Sequence, residues 1–477
     1  MSVSDIFQIG ATALSAQKTA LAITGENIAN ASTTGYSKQT VNMEAGSTIL
    51  DNGIPVGSGV QVESISRVYN DFLQQQLMSA NSSNGGYNTQ QTQLQSVQQL
   101  FGTSSTSGLG ADLNSFFNAW QDLANNPTGS AERQEVLTSA QTVVSDFQQL
   151  SSGLTQVQSN ANQSLQGITS DINDQLQQIA SLNAQISQTG SQQGGAANAL
   201  LDSRDQLLQK LSGEVAITSR LNSNGTVTVT LPQGATLVDG NSAATFSLQA
   251  DSANSGFYDV MLTPPNSTAP QDVTSILEGS GGNQGELGAT LAVRDSLVEP
   301  FLNGLDELAS NLATQVNNLQ STGYDLNGNT GTDFFTSPSG SATDTPGYSS
   351  QINLNITSGD QIAAAGKNDG TGDNTNALSI ADLANASISI GGGTSTLDGF
   401  YNSLVAQSGT AVQSAQTGAT QSQSSITQLQ QMIGSASGVS LDEELTNLTT
   451  YQLAYQAAAK LITVGTEMMQ SVLGLIT

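Results

Sequence analysis

The sequence predicts a mainly α chain with an inserted β domain. The N- and C-terminal helices pair as a coiled coil, a long helical bundle follows, and a small β domain lies outermost. Three observations carry this reading. Apolar residues recur at steps of three and four at both ends of the 477 residues. Gln-, Asn-, Ser- and Leu-rich stretches between the ends keep the same helical period. Residues 216–284 change to a period of two.

The N-terminal seam comes first. Ile6, Ile9, Ala13, Ala16, Ala20 and Ile23 alternate in a/d fashion. Phe7, Leu14, Leu21 and Ile28, seven apart, widen that face. One helix cannot cover so broad an apolar face by itself; its partner is either its own domain or another helix. The C-terminus offers one. Ser440, Leu441, Asp442 and Glu443 read as an S-x-x-E capping box, with three acids in the first turn to suit the helix dipole. Leu441, Leu448, Tyr455, Ile462, Met469 and Ile476 then recur every seven residues, and Tyr451, Ala458, Gly465 and Val472 fill the intervening positions. The small Ala458 and Gly465 permit close approach. Two such seams most simply pack on each other, so residues 1–60 and 436–477 form a terminal domain with all else inserted.

Residues 61–215 and 285–435 read as the helical bundle. Leu150, Leu154 and Val157, then Leu165, Ile168, Ile172, Leu176, Ile179, Leu182 and Ile186, form a stripe at helical spacing. Leu287, Leu291, Leu297, Leu302, Leu305, Leu308, Leu312, Val316 and Leu319 continue the style. The polar faces carry uncharged amides. Such faces suit either a solvated bundle or close neighbouring copies, since few charges need desolvating. The Gln/Ser-rich stretch 407–431 keeps Val412, Ile426 and Leu429 and reads as helix. Alternation from Thr226 to Leu231, after the Asn224-Gly225 turn signal, marks the β domain. Further strands are expected at 244–249 and 257–263. Residues 335–395 read as loop-rich, with short strands at Ile352 to Ile356 and Ile388 to Ile390.

Composition narrows function by exclusion. There is no Cys and no His, and ten basic residues face 38 acids for a net charge of −28. Thiolate, imidazole and Cys- or His-based metal chemistry are therefore excluded. A nucleic-acid partner needs a positive stripe and an anionic membrane needs basic residues, so neither is expected. No cofactor motif is present, and no cofactor or enzyme activity is expected. The stretch Asp325, Asn327, Asn329, Asp333 loosely resembles a calcium loop, but Thr330 stands where Gly is wanted and Thr336 where Glu is wanted, so it reads as a turn. Asp369, Asp373 and Asn374 also read as a turn, and Gly279, Gly281, Gly282 and Gly285 do not make a dinucleotide fingerprint. Met1 to Gly10 lack the features of a cleaved signal peptide, so the chain is expected to stay in the cytoplasm or leave by a route that reads no such signal.

The run Asn27-Ile28-Ala29-Asn30-Ala31-Ser32-Thr33-Thr34-Gly35-Tyr36-Ser37-Lys38-Gln39 resembles the N-I-A-N-x-x-T-x-G-Y-x-x-Q stretch of the flagellar axial family of rod, hook and hook-associated proteins. Residues 440–445 with Tyr451-Gln452-Leu453-Ala454-Tyr455-Gln456 are similar to the C-terminal signature of its hook-associated branch. Gly323-Tyr324-Asp325-Leu326-Asn327-Gly328 with Phe334-Phe335, and Gly372-Asp373-Asn374-Thr375-Asn376-Ala377-Leu378, resemble two interior segments of that branch. The resemblance implies a structural part of the bacterial flagellum at the hook–filament junction. It implies assembly with copies of itself, contact with hook protein and with a second hook-associated or filament protein, and a cytoplasmic export chaperone on the C-terminal segment. It further implies export through the flagellar type III apparatus and an extracellular location. Another axial subunit (hook, distal rod or flagellin-like) is the second reading; a secreted acidic hydrolase is a remote third.

Overall fold

The computed structural model describes residues 3–51, 54–102, 108–189, 194–279, 284–338, 346–367, 370 and 372–474. Helix α1 (Val3–Asn30) runs into an antiparallel ribbon. Strand β1 (Gln39–Ala45) pairs with β4 (Val60–Arg67), and β2 (Thr48–Asp51) pairs with β3 (Ile54–Gly57) at its tip. The sequence reading placed no strand here. The period-two signal is short, and a bulge between Asn42 and Met43 interrupts it.

Four helices follow: α2 (Asp71–Phe101), α3 (Leu109–Asn125), α4 (Ser130–Thr189) and α5 (Gly194–Glu214). Asn70 starts α2 by accepting a hydrogen bond from the Leu73 N–H. The β domain holds two antiparallel sheets. One is β5 (Thr218–Leu221), β6 (Val227–Thr230), β7 (Thr236–Asp239) and β8 (Ser242–Ala243), in that order. The other places β10 (Tyr258–Thr263) between β9 (Thr245–Ala250) and β11 (Gln271–Asp272). The chain returns through α6 (Thr274–Glu278), α7 (Gly285–Ala292), a π-turn at Val293–Leu297 and α8 (Glu299–Thr322). Short helices α9 (Tyr348–Gln351) and α10 (Thr375–Ala381) and the hairpin β12 (Ile388–Ile390) with β13 (Gly393–Ser395) precede α11 (Leu397–Ser437) and α12 (Leu441–Gly474).

Helix α4, 60 residues long, serves two cores. Its first half packs with α3, α8, Phe334, Phe335 and the segment 348–364 around Phe116, Trp120, Phe334 and Phe335, each 0 % exposed. The four rings lie 4.9–6.2 Å apart in tilted and edge-on contacts, the favoured aromatic geometry. Its second half presents Leu165, Ile172, Leu176 and Ile179 to a second core with Leu211, Val229, Val238, Phe246, Val260 and Leu291. Helix α11 runs antiparallel along α2: Gly418 backs onto the Tyr87 ring, and Asn84 donates to the Ala419 carbonyl at 3.1 Å.

One expected strand is not formed. Ile352 to Ile356 makes a single bridge, Phe335 to Leu354, while the neighbouring backbone crosses to Phe334 and Thr336. Gln148 on α4 takes the Ile352 carbonyl at 2.9 Å, so this segment follows the helix surface instead of a sheet. At the loosely calcium-like stretch, Asp325 Oδ1 accepts from the N–H groups of Asn327 and Asn329, both at 2.8 Å. That carboxylate holds a turn of its own chain. Asp369, Gly281 and Gly282 lie outside the described residues.

Candidate functional site

Helices α1 and α12 pack antiparallel. Asn27 meets Glu444, Gly10 meets Ile462, and Ile6 and Phe7 meet Gly465. Gly10 lets the two helices approach closely: a Cβ there would fall 2.7 Å from Ile462 Cγ1 and push that side chain aside. The N-terminal seam is covered on two sides. Gly10, Ala16, Ala20 and Ile23 are buried, and Ile6, Phe7, Ile9, Ala13, Leu14, Leu21 and Ile28 are half-buried. The β1–β4 ribbon supplies the second cover: Thr12 Oγ1 reaches the Ser58 carbonyl, and Gly59 lies against Ile9.

Helix α12 is covered on one side only. Glu444, Ala458 and Gly465 are buried, with Leu448, Tyr451 and Ile462 half-buried beside them. Leu445, Leu453 and Val464 stand away from α1 at 52 %, 62 % and 39 % exposure. Leu441, Tyr455, Leu461 and Met468 are exposed too. Met469, Val472 and Leu473 continue past the Gly465 level, where α1 approaches its first turn, and lie open to water. Ile476 falls outside the described residues. So the predicted heptad line divides: Ala458 and Ile462 are covered by α1, Leu441 and Tyr455 are exposed, and Met469 and Val472 are exposed beyond the reach of α1. These exposed apolar side chains stand along the whole length of α12 and on more than one side of it, more than the scattered surface Leu of a solvated helix.

The joint below this pair is polar. Asn27 is its hub. Its amide nitrogen donates to the Gln39 carbonyl at 2.9 Å and to Glu444 Oε2 at 3.1 Å. Its Oδ1 accepts from Tyr36 Oη at 2.8 Å and from Gln39 N at 3.0 Å. Burial, helped by the charge of Glu26, pushes the Tyr36 hydroxyl up to about 12, so it stays a donor. Asn30 binds the Glu26 carbonyl and receives Thr33 Oγ1 at 3.2 Å, closing the helix end. Gly35, at φ +80°, lets the chain turn against Gln206, which donates to the Thr34 carbonyl. Lys38 Nζ meets Glu443 at 2.7 Å and Glu444 at 3.5 Å. Glu443, which the sequence suggested as half of a capping box, thus ties α12 to the loop.

Sequence reasoning missed the ionic part of this joint. Arg67 pairs with Asp202 at 2.8 Å and Asp205 at 2.7 Å, and its guanidinium lies 4.3 Å above the Tyr69 ring. Asp202 also accepts from Ser37 N, so the loop, β4 and α5 converge on one carboxylate. Burial pushes the Asp205 carboxyl up against the pull of Arg67 and Arg204. A cleft of about 380 Å³ opens beside this cluster, between Thr34–Ser37, α2 and the end of α11. A signal was available in the scarcity of cations. The chain has five Arg, and Arg133, Arg204 and Arg294 are 2 %, 2 % and 0 % exposed, with Arg67 nearly as covered. Guanidinium groups so few and so hidden mark the places where segments are clamped together.

The other motif lies elsewhere. Asp373 accepts from the N–H groups of Gly366, Lys367 and Thr375, and these bonds hold its carboxyl below its ordinary range against the cost of burial. Asn374 donates to the Ala124 carbonyl at the end of α3, 2.6 Å away, while Gly372 is exposed. These residues fasten a loop to the bundle and do not join the terminal pair. Among the described residues no group of three acidic residues is arranged to hold a metal ion. Among the same residues no helix is long and apolar enough to cross a membrane.

Comparison with known proteins agrees with this layout. Residues 94–335 match the flagellar hook-associated protein FlgK helical domain. Residues 7–36 match the flagella basal body rod protein family, and 429–475 match the flagellar basal body rod FlgEFG protein C-terminal family. Flagellar hook-associated protein 1 of Bacillus subtilis is 30 % identical over 97 % of this chain and 96 % of its own length. The chain belongs to the flagellar hook-associated protein 1 family. The Salmonella typhimurium member is 27 % identical over 99 % of this chain and 100 % of its own. A solved structure of the flagellar hook junction protein FlgK from Burkholderia pseudomallei superposes with a TM-score of 0.67 at 19 % identity. It covers 76 % of this chain and 100 % of that one, and so shares the fold. The matches to rod families fall on the two terminal segments. Those are the segments that pair as α1 and α12, whereas the helical-domain match runs from the end of α2 through the β domain to just past α8.

Proposed function

We propose that this chain is a structural subunit of the bacterial flagellum at the hook–filament junction, and that it assembles through its terminal helices. The observation that carries the reading is the uncovered apolar face of α12, from Leu441 to Leu473. In a lone chain that face meets water. In a ring or tube, neighbouring copies cover it, and each fully buried Leu or Met gains about 1.5–3 kcal/mol. Head-to-tail contacts of this kind build rings or open tubes in place of closed pairs. The residues of the interface are Leu441, Tyr455, Met469, Val472 and their exposed neighbours, with α1 as the support that orients them. Asn27, Tyr36, Gln39 and Lys38 set the angle at which the pair leaves the bundle.

The partners are copies of the chain, the hook protein on one side, and a second hook-associated or filament protein on the other. Before assembly, a cytoplasmic export chaperone covers the same face of α12, and the chain travels through the flagellar type III apparatus to its extracellular place. The role is mechanical and needs no enzyme activity. Removal of residues 441–477 is expected to leave a soluble, folded bundle that cannot join the hook, giving cells without attached filaments. Normal motility and filament retention in that strain would overturn the reading. Labelling along the whole hook in electron micrographs of isolated flagella would favour a hook subunit instead.

A further inference from the structure

The exposed apolar side chains of α12 differ in one chemical respect. Leu445, Leu453, Leu461, Val464, Val472 and Leu473 end in hydrocarbon, whereas Met468 and Met469 carry thioethers. Each of these two is 45 % exposed. They stand about one turn beyond Gly465, which lies against Ile6 and Phe7 in the first turns of α1. Successive helix positions point about 100° apart, so the pair opens to two sides. At steps of three and four, Met468 neighbours Val464 and Val472, and Met469 neighbours Val472 and Leu473. The thioethers are therefore set among side chains that offer no hydrogen-bond donor.

The other sulfur atoms are placed differently. The chain has seven Met and no Cys. Met78 is buried in the second core at 4 % exposure, and Met43 and Met261 are half-buried on strands. Met432 is exposed near the end of α11, away from α12, and Met1 falls outside the described residues. Oxidation of a thioether needs no base and no bound cofactor, only access of the oxidant to sulfur. No thiol in this chain draws an oxidant away first.

We propose that Met468 and Met469 are an oxidation site of the unassembled chain, at which a hydroperoxide turns the assembly face of α12 from apolar to polar. The proposal rests on the reading that copies of the chain cover this face. In the step a lone pair of the Met sulfur attacks one peroxide oxygen. The S–O bond forms as the O–O bond breaks. The departing oxygen takes the remaining proton and leaves as water when the oxidant is hydrogen peroxide. Sulfur is oxidised by two electrons and the peroxide is reduced. The sulfoxide is a strong acceptor, and a neighbouring copy that buried it among Leu461, Val464, Val472 and Leu473 would strand its oxygen. Association is lost in consequence. Once a copy covers the face the sulfur atoms are out of reach, so the site is open before assembly and closed after it.

The test treats the purified full chain with hydrogen peroxide, maps added oxygen by peptide mass spectrometry and follows self-association by light scattering. Met468, Met469 and Met432 are expected to gain oxygen well before Met78, and association should weaken by about tenfold or more, the factor that burying one unpaired polar oxygen implies. Met468→Leu with Met469→Leu keeps the apolar volume. It should associate like untreated wild type and stay so after peroxide, whereas Met432→Leu should remain as sensitive as wild type. Assembled material should be protected at Met468 and Met469. Equal oxidation of these two in assembled and free chains would overturn the proposal. So would undiminished association of the oxidised chain, or a double-Leu variant as sensitive as wild type. Leu453→Ser separates this idea from the one beneath it. If Leu453→Ser abolishes association and oxidation does not, the oxidation site alone fails. If neither change affects association, the assembly face itself is elsewhere and both fail.

Discussion

The helical bundle and the terminal helix pair use the same apolar period and reach opposite ends. In the bundle, α4 is enclosed by α3, α8, Phe334, Phe335, the segment 348–364 and the β domain, so Phe116, Trp120, Leu154 and Ile172 are wholly buried. In the terminal pair, α1 is enclosed between α12 and the β1–β4 ribbon, but α12 has one neighbour and keeps Leu453 and Leu473 at 62 % and 59 % exposure. A periodic apolar face states that a partner is needed. It does not state whether that partner is in the same chain. The bundle finds its partners within the chain, and α12 leaves half of its demand open. An assembly part can therefore be stable in its outer body while its inner end stays available.

Three substitutions sharpen the contrast, in falling order of effect on the lone chain. Phe116→Ala removes a ring from the four-ring cluster in the bundle core. It is expected to cost about 3–5 kcal/mol of bundle stability, measured by denaturant unfolding followed through Trp120 fluorescence. A loss below about 1 kcal/mol would show that the bundle is not the self-contained part. Asn27→Ala strips four hydrogen bonds from the joint and leaves Glu444 with fewer partners. The expected cost is about 1–3 kcal/mol. It should appear as faster amide exchange in α1 and α12, with the bundle unchanged. Leu453→Ser changes a side chain that meets water in the lone chain, so its effect on monomer stability should stay within about 0.5 kcal/mol. Its effect on self-association, followed by light scattering or filament retention, should be the largest of the three. Unimpaired assembly would show that another face of α12 makes the contacts.

Legibility followed the range of the interactions. The long helices were readable because each period repeats many times. The stripe from Leu150 to Ile186 falls on one helix, Ser130–Thr189, and the terminal seams are α1 and α12. Strand β6 was readable from alternation next to the Asn224-Gly225 turn, and β9 and β10 fall where the further strands were expected. The β1–β4 ribbon was not, because seven or eight residues broken by a bulge give little periodic signal. Asn27, Tyr36 and Gln39 were legible through resemblance alone; nothing in their spacing shows that one amide would bind a carbonyl 12 residues on and a carboxylate 417 residues on. Arg67, Asp202 and Asp205 were invisible for the same reason. They are far apart in sequence, and only packing decides that three charges share a site.

The sequence by itself determined which segments are helical, that both ends carry apolar seams, and that chemistry based on Cys or His is absent, since these depend on local periodicity and on residue inventory. Tertiary structure decided which side of each seam is covered. It set Ala458 and Gly465 against α1, turned Leu453 and Val464 to water, and gathered Arg67, Asp202 and Asp205 into the joint below the helix pair. The physical reason is that hydrophobic burial has no direction of its own. A period states how much surface must be hidden, and only the relative placement of whole elements states what hides it.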